Sequence, residues 1–258
     1  MDVQKKMPVV FAGHGSPMNA IGNNRARREW VKLGSDLGKP RAIVACSAHW
    51  ATKGTFVRTA ADNPQINDMY GFPDELYSVH YEPKGDPLIA QAVLELLGGD
   101  AGADNSWGID HGVWSVLSNM YPDADVPIVM ISTDVPTGSQ NLFDIGRKLA
   151  PLREEGVLVF ASGNVVHNLG LVGWNMDNGY PWADAFDKRI EESILTGHFN
   201  DVLDWSAIPD AEKAVPTTEH FDPLLVALGA ADPSDHVRVF NGYRELGSMS
   251  MTSYLFES

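Results

Sequence analysis

Residues 9–22 read VVFAGHGSPMNAIG, an apolar run that ends in a histidine placed between two glycines. A continuous apolar run followed by glycine is typical of a strand that is covered on both faces of a sheet. His14 therefore stands at the end of a predicted buried strand, where Gly13 and Gly15 permit a tight turn and leave space for a metal ion and a substrate. A lone turn histidine more often makes a structural hydrogen bond than it binds a ligand, so the role of His14 depends on the rest of the chain.

The rest of the chain alternates between strand-like and helix-like patterns. Continuous apolar runs predict strands at 8–12, 42–48, 126–132, 157–161 and 236–240, with another near 248–256. Helical spacing predicts helices at 86–99, 139–156, 182–197 and 219–231, and segments 61–83 and 170–181 have the composition of long loops. No linker or repeat divides the chain. The sequence thus predicts one domain over residues 1–258, an α/β fold with a central, largely parallel or mixed β-sheet and helices on both faces.

The charge balance limits the classes of partner. Acidic residues outnumber basic residues by 34 to 19, which gives a formal net charge of −15. This argues against a nucleic acid or an anionic membrane, because both bind basic surfaces. No apolar run reaches the roughly 18 residues of a membrane span, and the N-terminus lacks signal-peptide features. The single cysteine, Cys46, allows no intrachain disulfide and is expected to be a buried thiol, so we expect a cytoplasmic protein.

Three histidines follow predicted buried strands. His14, His49 and His167 come after the runs PVVFAG, AIVACSA and VLVFASGNVV. Because open α/β sheets collect ligands at the carboxyl ends of their strands, these side chains are expected to share one crevice. His220 is a fourth candidate, at the predicted start of a helix capped by Thr217 or Thr218, where the helix dipole favours a neutral imidazole. The imidazole of histidine is the commonest side-chain ligand of transition metals in proteins, so the four histidines predict a metal site.

The residues alone leave the chemistry of that site open. The spacing matches neither a zinc finger nor an H-E-x-x-H helix. Metal-bound histidines could activate dioxygen, activate water in a zinc-dependent hydrolase, or belong to a non-catalytic metal-binding protein. Five aromatic residues could wall a pocket for an aromatic substrate, and because most large aromatic side chains lie in the core, about two are expected there. They are Trp50, Tyr70, Phe72, Trp107 and Trp114.

A set of motifs along the chain resembles one known family. The motifs are, in order, GHGSPMN, CSAHW, GFPDELYSVHYEPKG, WGIDHGVWSVLSNMYPDADVPIV, LVFASGNVVHNL and ELGSMSM. Together they are similar to the 4,5-DOPA extradiol dioxygenase branch of the class III, LigB-type ring-cleaving dioxygenases. The resemblance implies a non-haem ferrous enzyme that opens a catechol ring, L-DOPA-like and cleaved at the 4,5 bond, with dioxygen.

The resemblance also implies roles for particular residues. His14 and His49 match metal ligands of the family, and His220 matches the third, although other class III members carry a glutamate there and Glu219 is adjacent. His167 matches the acid/base histidine, which in this branch can also complete the metal shell. His111 matches a second pocket histidine, expected to donate a hydrogen bond to bound oxygen or a substrate hydroxyl, unless it is tied to Asp110.

The expected ligands follow from these roles. We expect one divalent metal ion per chain, with Fe(II) for catalysis and Zn(II) in protein purified in air. His80, in the loop YSVHYEP, and Trp50 are the candidate substrate contacts, with a packed loop histidine as the alternative for His80. The sequence leaves the physiological catechol and the oligomeric state open.

Overall fold

The computed structural model describes residues 6–258, which form an α/β fold of strands and helices in alternation. The strands are β1 (Val9–Gly13), β2 (Ala42–Thr52), β3 (Thr55–Val57), β4 (Ala101–Ala103), β5 (Ile128–Asp134), β6 (Val157–Gly163), β7 (His236–Phe240), β8 (Arg244–Glu245), β9 (Met249–Ser250) and β10 (Ser253–Glu257). The helices are α1 (Arg25–Leu37), α2 (Asp74–Tyr77), α3 (Pro87–Leu97), α4 (His111–Met120), α5 (Ser139–Leu149), α6 (Pro181–Leu195), α7 (Phe199–Leu203), α8 (Ala211–Ala214) and α9 (Asp222–Ala230). Within the described residues, no helix combines the length and the apolar character needed to cross a membrane.

Eight strands form one mixed sheet in the order β4-β3-β5-β2-β6-β1-β10-β7. The four central strands β5, β2, β6 and β1 are parallel, whereas β10 pairs with β1 and β7 in the antiparallel sense. The predicted mixed sheet is therefore confirmed. Parallel central strands bring the chain segments that follow them to one edge, which is where ligands bind in such sheets.

Helices cover both faces of the sheet. In β1, Val9 and Phe11 face one core and Val10 and Ala12 face the other, and all four are fully buried. One core lies under α3, α5, α6 and α9, and the other under α1 and α4. Because both faces are covered, the strands need apolar residues at successive positions, which explains their continuous apolar runs.

Several local predictions differ from the structure. The strand predicted near 248–256 is interrupted between β9 and β10, and the predicted loop 61–83 contains the short helix α2. His49 lies inside β2 and not beyond its end, in a stretch where the register against β5 shifts. His220 precedes α9 by two residues, and neither Thr217 nor Thr218 caps that helix with its side chain. The Thr218 hydroxyl instead donates to the Asp222 carboxylate at 2.9 Å.

The glycines beside the predicted site act through close packing. Gly15 has φ +58°, and a Cβ there would lie 2.3 Å from Met251 Sδ, so a side chain at this position would clash with the Met251 thioether. A Cβ on Gly163, the last residue of β6, would lie 2.2 Å from the His220 carbonyl oxygen. The bare Gly163 backbone lets the His220 carbonyl accept a hydrogen bond from the Asn164 N–H at 2.8 Å. This contact holds the segment before α9 against the end of β6.

Candidate active site

Five histidines converge at the edge of the sheet where the parallel strands end. His14 follows β1, His49 lies near the end of β2, His111 begins α4, His167 follows β6 and His220 precedes α9. The ring centroids of neighbouring pairs are close: 4.9 Å for His14 and His49, 4.0 Å for His49 and His111, and 3.6 Å for His167 and His220. All five line one cavity of about 640 Å³. The crevice predicted from strand ends is present.

Three of these histidines form a compact group of possible metal ligands, one of two such groups in residues 6–258; the other consists of His49, Asp68 and His111. His14, His49 and His220 each contribute a ring nitrogen, and these atoms all lie within 4.8 Å of one another. The Nε2 atoms of His49 and His220 are 3.3 Å apart. The Glu219 carboxylate is not part of the group. Of the two adjacent candidates for the third ligand position, His220 is the one that faces the other histidines.

The orientation of His14 is set by its outer nitrogen. Its Nδ1 lies 2.9 Å from the Ser162 hydroxyl, and that hydroxyl lies 2.5 Å from the Gly112 carbonyl oxygen. Since the carbonyl can only accept, the hydroxyl donates to it and must accept from His14 Nδ1–H. The Nε2 atom of a neutral His14 then carries the free lone pair, the tautomer that a metal ligand needs.

Carboxylates face the outer nitrogens of two more rings. The Asp68 carboxylate accepts from His111 Nδ1 at 2.9 Å, and its other oxygen lies 3.2 Å from His49 Nδ1. Asp110 Oδ1 lies 3.4 Å from His49 Nδ1. Asp110 is fully buried and is itself held by hydrogen bonds from Ser47 and Trp107. Carboxylates behind ligand histidines orient the rings and make them stronger bases. The ring of His111 is hydrogen-bonded to Asp68, and not to Asp110, the alternative considered in the sequence analysis.

Glu219 has the same relationship to His220. Its Oε1 lies 3.5 Å from His220 Nδ1 and accepts a hydrogen bond from the Thr217 hydroxyl at 2.7 Å. The His220 ring and the Thr217 hydroxyl lower the pKa of Glu219 to about 2, so the side chain is an anion at neutral pH. This carboxylate supports the ring from outside the ligand group.

Burial keeps most of the cluster uncharged. It lowers the pKa of His14 well below its usual value and, together with the neighbouring rings, lowers the pKa of His167 to about 2. Burial also lowers the pKa of His220 to about 4, against an opposing effect of Glu219. For His49, burial acts in the same direction, but Asp110 and Asp68 outweigh it and raise the pKa. Neutral rings can bind a cation without first losing a proton.

This donor set fits a divalent metal ion. Two nitrogens bound to one tetrahedral ion at about 2.0–2.1 Å are about 3.3–3.4 Å apart, close to the spacing of His49 Nε2 and His220 Nε2. With their outer nitrogens turned toward carboxylates, two neutral rings would place two lone pairs against each other. A cation between them removes that repulsion. The carboxylates of Asp68, Asp110 and Glu219, which face the outer nitrogens of the rings, would balance part of the charge of the ion.

His167 differs from the other four rings. It stacks on His220 with an angle of 2° between the ring planes, and its backbone forms a bridge with Met249. In residues 6–258, its ring nitrogens have no hydrogen-bonding side chain or backbone partner, and it lies outside the compact ligand group. The ring is therefore positioned by stacking, and both nitrogens remain available to exchange protons with a bound molecule.

The two candidate substrate contacts are not found at the cavity. Trp50 is 3 % exposed and packs in the core under α1 and α4. His80 is exposed in its loop and does not line the cavity. Neither residue lines the cavity, because the strand alternation turns Trp50 into the core and the loop exposes His80 to solvent. Of the five aromatic candidates, Tyr70 and Phe72 line the cavity.

Comparisons with known proteins give a consistent result. Residues 13–256 match the family model for the catalytic LigB subunit of aromatic ring-opening dioxygenase. The chain is 42 % identical over 254 residues to the 4,5-DOPA dioxygenase extradiol of Escherichia coli K12, covering 96 % of this chain and 94 % of that protein. It is 34 % identical to the protein of the same name from Beta vulgaris, covering 96 % of each chain. The crystal structure of an uncharacterized protein from Escherichia coli K12 matches with a TM-score of 0.85 and 40 % identity, covering 96 % of this chain and 99 % of that one.

Proposed function

The chain belongs to the LigB family of aromatic ring-opening dioxygenases, and from this premise we propose that it cleaves an L-DOPA-like catechol at the 4,5 bond. The enzyme class is that of extradiol ring-opening dioxygenases, whose substrates are a catechol and dioxygen. This membership argues against the zinc-dependent hydrolase and the non-catalytic metal-binding protein. What we propose beyond the family is the catechol that is the substrate, the ring bond that is cleaved, the metal ion that is bound and the residues that carry out the reaction. A cytoplasmic location belongs to it too, supported by the single buried thiol of Cys46.

The observation that carries the proposal is the inward-facing group of His14, His49 and His220. We propose that these three residues hold one divalent ion, with Fe(II) as the active form. A bound ferrous ion would supply a redox-active centre where the catechol and dioxygen meet in a fixed arrangement. Ser162 holds the His14 ring by a hydrogen bond, and Asp68, Asp110 and Glu219 place carboxylate oxygens 3.2–3.5 Å from the outer nitrogens of His49 and His220.

His167 is the proposed acid/base residue. A catechol must lose a hydroxyl proton to bind as the catecholate, and His167 is a neutral ring beside the ligand group. Because burial and the neighbouring rings lower its pKa, the ring would accept this proton only next to the negative charge of the bound catecholate, which raises its pKa again. Later in the reaction, opening of the ring needs a proton donor, and the protonated ring of His167 can return the proton. The stacking contact with His220 keeps the imidazole in place while its nitrogens exchange protons.

His111 and Asp68 form a second proton-holding pair. Because His111 Nδ1 donates to Asp68, a neutral His111 presents an accepting Nε2 to the cavity, and only the protonated ring can donate there. We propose that Asp68 stabilises the protonated form when the substrate oxygens carry negative charge. The hydrogen-bond donor expected at His111 then depends on this carboxylate.

Oxygen uptake by iron-loaded protein tests the proposal. Metal-free protein is filled with Fe(II) under anaerobic conditions and mixed with L-DOPA in air-saturated buffer. The expected result is consumption of one dioxygen per catechol and a yellow semialdehyde whose mass equals substrate plus two oxygen atoms. Absence of oxygen uptake across a panel of catechols, in folded and iron-loaded protein, would contradict the proposal. A product cleaved at a different ring bond would support dioxygenase activity but contradict cleavage at the 4,5 bond.

A further inference from the structure

The mouth of the active-site cavity is apolar. Two loops form it: the segment before α2 contributes Tyr70 and Phe72, and the segment after β6 contributes Leu169, Val172 and Trp174. Tyr70 is 92 % exposed, Trp174 is 79 % exposed and Leu169 is 65 % exposed. Large apolar side chains that stand open to solvent around a cavity are typical of a site that covers an apolar part of its ligand.

The same cavity has no cationic anchor. Among residues 6–258, no lysine or arginine side chain lines it, and the charged side chain in its wall, apart from the histidines, is the carboxylate of Asp68. The whole chain carries a formal net charge of −15. A binding site for a carboxylate normally offers arginine or lysine, because a charge-assisted hydrogen bond compensates for the lost hydration.

The apolar mouth and the absence of lysine and arginine from the described lining residues affect which ring substituent of the catechol the cavity can bind. In the proposed function the two hydroxyl groups meet the histidines, and the substituent on the other side of the ring would then extend toward the mouth. A carboxylate at that position meets no lysine or arginine among the described lining residues and faces the field of an acidic protein. An uncharged or cationic substituent avoids that cost and can cover Leu169, Val172 and Trp174.

We propose that this site selects catechols whose ring substituent bears no unpaired carboxylate, and that the carboxylate of L-DOPA contributes nothing to its recognition. This inference rests on the proposed function, since it concerns the substituent of the same catechol. Cleavage of L-DOPA would therefore show that the site opens a catechol ring, but it would not identify the preferred substrate. The preference for one ring substituent over another depends on the residues at the mouth of the cavity. The chemical class it names is that of neutral or amine-bearing alkyl catechols.

L-DOPA and its methyl ester form a matched pair that tests the inference. They share the ring and the α-amino group and differ in the carboxylate, and the comparison is made below about pH 6.5 so that both amines are protonated. With iron-loaded protein, we expect kcat/KM for the ester to exceed that for L-DOPA by about fivefold or more at low salt, with the ratio falling at high salt as the field of the protein is screened. A kcat/KM for L-DOPA about tenfold above that for the ester would overturn the inference.

An added cation at the mouth should reverse the preference. Leu169→Arg introduces a guanidinium on the cavity wall, whereas Leu171→Arg adds the same charge to the same short segment at an exposed position that does not line the cavity. We expect Leu169→Arg to shift the ratio toward L-DOPA by about tenfold through an arginine–carboxylate pair, and Leu171→Arg to leave it within about twofold. Equal shifts in both variants would show that net charge decides the preference, and not the lining of the mouth.

Binding to zinc-loaded protein separates this inference from the proposed function. Calorimetric titration with the same two catechols ranks their affinities without turnover. Tighter binding of the ester supports the inference, even if iron-loaded protein fails to open either ring and the proposed function is wrong. Tighter binding of L-DOPA overturns it, whatever the iron-loaded protein does.

Discussion

Asp68 accepts two hydrogen bonds from His111, one from the ring Nδ1 at 2.9 Å and one from the backbone N–H at 3.0 Å. Its second oxygen lies 3.2 Å from Nδ1 of His49. One carboxylate from the loop before α2 thus hydrogen-bonds a proposed proton donor and lies beside the outer nitrogen of a proposed metal ligand. Burial raises the pKa of Asp68, but the hydrogen bonds and charge of His111 outweigh it and lower the pKa, so the side chain is an anion beside both rings.

Asp68→Asn should therefore weaken the site without unfolding the protein. An asparagine can still accept from one ring but presents an NH₂ group to the other, and loss of such a supporting carboxylate typically costs about 10–100-fold in metal affinity or activity. We expect a loss in that range in kcat/KM for catechol cleavage and in the affinity for Zn(II), measured by oxygen uptake and by competition with a chelator. Glu82→Gln is the control, because Glu82 is exposed and outside the cavity. Values within twofold of the parent in both assays would show that Asp68 has no supporting role.

The central sheet and the histidine cluster could be predicted from sequence for a shared physical reason. Strands covered on both faces must be apolar at every position, so β1, β2 and β6 stand out, and the segments that follow such strands meet at one edge. His14 and His167 were found in this way. His220 was found as a helix-start residue, and its proximity to His49 depends on the Gly163 contact, which pattern alone does not reveal.

The supporting residues were harder to predict. Asp68 lies in a loop with no periodicity, and the two histidines are near it because this loop lies against the first turn of α4. Trp50 was misplaced because β2 continues to Thr52, so the side chain follows the strand alternation into the core. Ser162 gave no signal, since a buried serine at a strand end is common. A search for acceptors opposite each outer histidine nitrogen would have found Ser162 and Asp68 once the fold was known.

His167→Ala should remove ring cleavage while leaving metal binding close to that of the parent. Loss of a general acid/base typically costs 10²–10⁴-fold, and the ring lies outside the His14, His49 and His220 group. We expect kcat to fall by about that factor, with Zn(II) affinity changed far less. His80→Ala is the matched control, a histidine exposed in a loop, and should turn over like the parent. Near-normal kcat in a folded His167→Ala protein would assign the proton transfers to another group.

Ser162→Ala should weaken both the site and the fold. The change leaves His14 Nδ1–H and the Gly112 carbonyl without their buried partner, which costs about 1–3 kcal/mol for each unsatisfied group. We expect a lower free energy of unfolding in urea, and about 10–100-fold weaker Zn(II) binding because His14 is no longer held in one tautomer. Ser193→Ala provides the comparison, since Ser193 is also buried but its hydroxyl has no hydrogen-bond partner among the described residues. Equal behaviour of the two variants would contradict the role given to Ser162.

Arg244→Met should destabilise the cavity wall through a buried charge. Asp187 is fully buried and accepts hydrogen bonds from Arg244, Ser250 and Thr252 at 2.8, 2.5 and 2.8 Å. Removing the guanidinium leaves that carboxylate uncompensated, which typically costs about 3–5 kcal/mol of unfolding free energy.

The exposed pair of Arg189 and Asp201 is the control, and Arg189→Met should cost at most about 1 kcal/mol. The Ser250 N–H also donates to the Val166 carbonyl beside His167, so catalysis should weaken together with stability in Arg244→Met. Both free energies are measured by urea unfolding. A cost below that of Arg189→Met would show that the Asp187 network adds nothing to stability.

Metal exchange should separate binding of the catechol from its cleavage. Neutral imidazoles accept zinc readily, and zinc lies above ferrous iron in the usual affinity order, so protein purified in air is expected to contain zinc. Zinc has no accessible redox change, so zinc-loaded protein should bind L-DOPA but consume no dioxygen. Removal of zinc with a chelator and anaerobic refilling with Fe(II) should then produce oxygen-dependent cleavage, which added zinc suppresses as it displaces the iron. Metal analysis accompanies each oxygen-uptake trace. Full cleavage by a preparation that contains zinc and no iron would overturn the redox role proposed for the ion held by His14, His49 and His220.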